Sequence, residues 1–143
     1  MQPINLGRVV LAGLLCGLII NVGEYLLNGV LLASQWEEVS RSLNRPPTFT
    51  ATQIALFNVW GFIAGIGSVW IYAAILPRFG AGPKTAVCAG LVMWFTGWLL
   101  GSATLPITDW VPLGMWITIM VWGIVEVVVA TVAGAKFYRE SNA

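Results

Sequence analysis

Three kinds of residue in this chain are suited to chemistry in an apolar setting: the carboxyls Glu24 and Glu126, the amides Asn21, Asn28 and Asn58, and the indoles Trp94, Trp98 and Trp122. All lie inside long apolar runs. Glu24 stands in residues 13–28, GLLCGLIINVGEYLLN, a stretch otherwise fit only for hydrocarbon. A carboxyl at the centre of a membrane span costs about 2.5 to 3.5 kcal/mol on insertion scales, and no Lys, Arg or His lies at its depth to neutralise it. Burial favours the neutral acid, so at least one of the two glutamates is expected to hold its proton at neutral pH. The chemistry expected of such a group is reversible binding of a proton or a cation, with the indoles able to line the site and accept an organic cation through their ring faces. The competing role is interhelical hydrogen bonding, worth about 0.6 kcal/mol per bond on average. That recovers only a fraction of the insertion penalty, which tilts the reading toward a ligand-handling site.

Other chemistries lack their residues. Histidine is absent, which removes the usual ligand of haem and zinc and the usual acid–base group. Cys16 and Cys88 are single and form no C-x-x-C, so they read as small packing residues and not as a thiol redox pair. With no nucleophile or metal cluster beside the carboxyls, an enzyme is the weakest reading: no catalytic residue, cofactor or metal ligand is expected. A net charge of +1 without clustered Lys and Arg leaves no nucleic-acid partner.

The elements that must position these residues follow from composition. The chain has 143 residues, 58% hydrophobic and 9% charged, far from the soluble average of about a quarter charged. A bilayer core requires about 20 apolar residues per spanning helix. Four runs qualify, at about 9–32, 54–76, 86–105 and 113–135, and no alternating barrel strands are present. The expected fold is an all-α membrane protein: one domain, 1–143, with four transmembrane helices in one bundle.

Each span carries one small or polar stripe. Gly13, Gly17, Asn21, Glu24 and Asn28 share a face of the first, with Leu14, Leu18, Val22 and Leu26 opposite facing lipid. Asn58, Gly61, Gly65, Ser68 and Tyr72 share a face of the second; Gly90, Trp94, Gly97, Gly101 and Thr104 of the third; Ile119, Gly123, Glu126, Ala130 and Ala133 of the fourth. Gly13/Gly17, Gly61/Gly65 and Gly97/Gly101 are G-x-x-x-G pairs, which let helix backbones approach in lipid. At about 1.5 Å per residue Glu24 and Glu126 fall within a few ångströms of the span midpoints, on opposite sides of them. A polar column of Asn28, Asn58, Glu24, Trp98, Asn21 and Glu126 is therefore expected through the bundle, with the deep indoles donating to the carboxyls.

Between the spans, Asn5 is a plausible N-cap, Ser34 with Glu37 and Thr50 with Gln53 form capping-box patterns, and residues 34–45 read as a short amphipathic surface helix. In that helix Glu37 pairs with Arg41, Trp36, Val39 and Leu43 share a side, and Pro46-Pro47 stop it. Residues 77–84, PRFGAGPK, read as a tight basic turn that neither helix crosses. Trp36, Trp110 and Trp116 on one side, with Trp70 and Tyr138 on the other, fit interfacial belts. Arg8, Arg78, Lys84, Lys136 and Arg139 gather on one side of the membrane, which by the positive-inside rule is cytoplasmic and holds both termini. The first span is too long and too interrupted by Asn21, Glu24 and Asn28 to be a cleaved signal.

The motif Asn21-x-x-Glu24-Tyr25, the run Trp60-Gly61-Phe62, the Pro77-Arg78-Phe79-Gly80 turn and Glu126 together resemble small bacterial four-span membrane proteins of unassigned function, which implies a bacterial inner-membrane location and no activity. In architecture alone the chain is similar to small multidrug transporters, which have four spans and an essential Glu in the first. It departs from them in its long first outer loop and its second buried Glu. The expected function is proton- or cation-linked transport or binding of a small molecule, in a homo-oligomer; the alternative is an accessory subunit of a larger membrane complex, with Glu and Asn as interhelical glue.

Overall fold

The computed structural model describes residues 4–138, and these are all helix and connections, without strands. Four helical segments are long and apolar enough to cross a membrane: Leu6–Leu31, Ala51–Phe79, Pro83–Ile107 and Leu113–Phe137. Two of the four change their winding midway. The first is α-helix α1, Leu6–Glu24, followed without a break by a π-helical segment π1, Tyr25–Leu31. The third is α4, Pro83–Met93, then π2, Trp94–Leu100, and a single turn α5, Thr104–Ile107. The second and fourth are continuous helices α3, Ala51–Phe79, and α6, Leu113–Phe137. Between π1 and α3 lies α2, Ala33–Ser42.

Helix ends follow local chemistry. The side chain of Asn5 accepts from the Arg8 amide at 3.1 Å and caps α1. The Thr50/Gln53 capping box is fully formed at the start of α3. The Ser34/Glu37 box is not formed: π1 passes to α2 through Leu32 alone, so the helix begins two residues earlier than a Ser34 cap requires and no side chain caps it. Glu37 and Arg41 do meet, at 3.3 Å. Asn44, at φ 52°, turns the chain into the left-handed region and ends α2 before Pro46 is reached. Pro77 does not stop α3 either. It sits in the last turn, where one lost N–H is tolerated, and Gly80 at φ 79° ends the helix.

The bundle is held by two seams. In the first, α1 lies against α3 with glycine facing glycine: a Cβ on Gly13 would stand 2.5 Å from the Ile66 Cα, one on Gly17 2.7 Å from the Phe62 Cα, and one on Gly65 would fall on the Gly17 backbone. Without side chains between them the two backbones make van der Waals contact, the main attraction available to helices in lipid. The second seam joins α4 to α6, where a Cβ on Gly90 would stand 3.0 Å from the Val128 Cα. Gly134 closes the middle against Cys16 and Val69. The expected lipid face of the first span, Leu14, Leu18, Val22 and Leu26, is exposed throughout. Cys16 is buried as expected, but Cys88 is exposed and packs against nothing inside.

The third glycine pair fails. Gly97 and Gly101 are both exposed, and a Cβ on either would meet only its own helix. The α-helical period that places Gly97 under Gly90 and Trp94 does not apply once the chain widens at Trp94: π2 turns the inward position to Trp98, which is 4% exposed.

One end of the bundle gathers Arg8, Arg78, Lys84 and Lys136; Arg139 lies outside the described residues. There Tyr72 and Tyr138 stack edge to face at 6.1 Å, and Tyr138 is buried, away from a belt position. At the other end Leu27, Leu32, Val39, Val111 and Met115 form a second small core beneath α2, so Val39 is buried while Leu43 is exposed. Trp70 and Trp110 are exposed as belt residues should be, whereas Trp36 and Trp116 are drawn into hydrogen bonds inside.

Candidate functional site

The site forms where Trp98 of π2 reaches the junction of α1 and π1. Glu24 is the last residue of α1 before π1, and Trp98 lies in the middle of π2. The Trp98 indole N–H donates to Glu24 Oε1 at 2.9 Å, and the Asn28 amide donates to Glu24 Oε2 at 2.5 Å. Asn28 is itself a recipient: the Trp36 indole N–H, arriving from α2, donates to Asn28 Oδ1 at 2.9 Å. The carboxyl of Glu24 is thus the terminus of a chain of N–H donors from three segments. Behind Trp98, the Trp60 ring of α3 packs at 4.8 Å, tilted by 56°. Trp116 donates to Ser102 Oγ at 2.9 Å, and Ser102 donates to the Trp98 carbonyl at 2.5 Å, which also accepts from the Gly101 amide.

Glu126 comes from α6. The Trp122 indole N–H, one turn away, donates to its Oε2 at 2.6 Å. Its other oxygen, Oε1, is buried and has no hydrogen-bond partner among the described residues. The carboxyl lies flat on α1 at Gly23: a Cβ there would stand 2.6 Å from both Cδ and Oε2 of Glu126. Glu126 thus packs beside Glu24, against a neighbouring residue that has no side chain to keep it off. A third indole, Trp94, donates to the Met120 carbonyl at 3.0 Å and not to a carboxyl, and it joins Trp98 in covering Gly123, where a Cβ would stand 2.9 Å from Trp98 Cδ1.

Of the expected column, the structure brings together Asn28, Glu24, Trp98 and, beside them, Glu126 with Trp122. Asn21 and Asn58 are not in it. Asn21 packs on Gly61 and donates to the backbone carbonyl of Asn58 at 3.1 Å, stapling α1 to α3. The Asn58 side chain points away and bonds to Ile54 of its own helix at 2.8 Å. All ten residues 51–60 are exposed, and α3 meets the bundle at this level through the Asn58 carbonyl and the Trp60 ring and not through the Asn58 side chain. Sequence reasoning missed Trp36, Trp60, Ser102, Trp116 and Gly23. Only Gly23 gave a signal, being the bare neighbour of Glu24 on a helix whose Gly13 and Gly17 made the α1–α3 seam.

Fold and site define a class, a multi-pass membrane protein with two carboxyls, Glu126 buried and Glu24 half-buried, each held by a tryptophan N–H. In comparisons with protein-family models, with curated proteins and with solved structures, nothing matched the chain.

Proposed function

We propose that this chain is a multi-pass membrane protein that performs proton- or cation-linked binding or transport through the site of Glu24 and Glu126. The observation that carries the reading is the lone Oε1 of Glu126: a buried acceptor left unsatisfied costs about 1–3 kcal/mol, a burden that interhelical bonding alone does not explain. A group that gains a partner when it binds a cationic ligand recovers that cost. Glu24 and its donors lie toward the end of the bundle opposite the basic one, so with Arg8, Arg78 and Lys84 on the cytoplasmic side this part of the site belongs to the outer half of the membrane. The amphipathic α2 then rests on the outer surface, held by Trp36 and Val39. Reconstitution into liposomes tests this: a pH- or potential-driven flux that Glu126→Gln abolishes supports it, and vesicles indistinguishable from protein-free ones contradict it.

A second reading, an accessory subunit of a larger membrane complex, is favoured by residues 51–60 of α3, all ten of which are exposed. A stoichiometric partner retained on purification, crosslinking to this segment, distinguishes it.

A further inference from the structure

The two carboxyls are not equivalent. Both oxygens of Glu24 are engaged by N–H donors, from Trp98 and Asn28. Glu126 is 8% exposed, spends one oxygen on Trp122, and keeps Oε1 buried without a partner. The ligand of the site must suit one free oxygen. Hard metal cations gather several oxygen ligands, and here they would have to displace both N–H donors of Glu24. Among the described residues no group of three or more His, Cys, Asp or Glu is assembled. An organic ammonium needs room, and contact with Gly23 closes the α1 side of the carboxyl. A proton needs one oxygen only. Two neighbouring carboxyls at low dielectric repel if both are charged, and one proton between them removes the repulsion.

Resting on the reading above, we infer that the ligand of the site is a proton and that Glu126, not Glu24, carries it, with Trp122 and Gly23 as positioning residues and Glu24 as the fixed, hydrogen-bonded partner. Glu24 is the ionisable group facing Glu126 from α1. From α3, residues 51–70 contribute none, and Tyr72 lies with Tyr138 at the basic end. From α4 come Lys84, in the first turn at the basic end, and Cys88, which is exposed; π2 contributes none. On α6 itself the next is Lys136, in the last turn.

Infrared difference spectra of the purified protein, acid minus alkaline buffer, test this without any flux assay, so they stand apart from a failure of transport. The expected result is one protonated-carboxyl C=O band that is lost in Glu126→Gln, persists in Glu24→Gln, and is unmoved by added Na⁺ or K⁺. Should Glu126→Gln fail to fold, Trp122→Phe carries the test: loss of the bond at Oε2 must shift the band. A band lost in Glu24→Gln instead, one surviving in folded Glu126→Gln, one erased by Na⁺ or K⁺, one unmoved in Trp122→Phe, or no band in the wild type overturns the assignment.

Discussion

The Trp98 indole donates to the Glu24 carboxyl at 2.9 Å, across 74 positions of sequence, from the middle of one π-helical segment to the residue just before another. A π turn inserts a residue into the helical count and re-aims whatever follows it, and such segments recur at functional sites. Here the two π segments account for the site's geometry. π2 brings Trp98 inward in place of Gly97, and π1 opens directly after Glu24 and carries Asn28, the second donor to the same carboxyl.

Removing the donor should leave a buried oxygen unmet. Trp98→Phe is expected to destabilise the protein by about 1–3 kcal/mol, and its double-mutant cycle with Glu24→Gln to show coupling of about 0.6–1.7 kcal/mol, read from unfolding in detergent. Additive effects would mean that the bond contributes nothing.

Gly23→Ala tests whether the seat of Glu126 is tight. The new methyl would stand 2.6 Å from the carboxyl, against nothing within 4 Å at Gly114. Overpacking is expected to lower stability by about 1–3 kcal/mol in Gly23→Ala, while Gly114→Ala is neutral or up to about 1 kcal/mol stabilising. Equal thermal shifts for the two variants would count against the seat.

The glycines should divide by partner and not by motif. Gly65→Ala, which strikes the Gly17 backbone, is expected to separate α1 from α3 and lose the folded form. Gly97→Ala and Gly101→Ala, with open surroundings, should be tolerated or gain up to about 1 kcal/mol of helix propensity. Thermal melts of the three single variants decide it.

For α2, fluorescent or paramagnetic depth probes placed singly along residues 33–42 should report a helical period, deepest near Trp36 and Val39 and shallowest near Glu38 and Arg41. Depth without that period would remove α2 from the membrane surface.

Much of this was legible in the sequence because one-dimensional signals govern it. Apolar length marks the four spans, Asn5 and the Thr50/Gln53 box mark two helix starts, and the glycine spacing of Gly13, Gly17, Gly61 and Gly65 marks the α1–α3 seam. The pairing of deep indoles with buried carboxyls followed from the need of Trp98 and Trp122 for acceptors. What was hidden depends on winding: a period of 3.6 residues extrapolated through Trp94–Leu100 puts Gly97 inside along with Trp98, whereas in π2 Trp98 is buried and Gly97 is exposed. Asn58 was misplaced for another reason, since helical phase predicts a face but not whether a neighbour is present at that depth. The Trp36–Asn28 bond is set by the fold-back of α2 over π1, which no local pattern encodes.

The central claim, that Glu126 beside Glu24 is a working proton site in the membrane, is tested most directly by proton flux into proteoliposomes carrying a lumenal pH indicator under an imposed potential. The account predicts flux in the wild type, loss to the protein-free rate in Glu126→Gln, and a strong reduction in Gly23→Ala. Wild-type flux that persists undiminished in folded Glu126→Gln would contradict it.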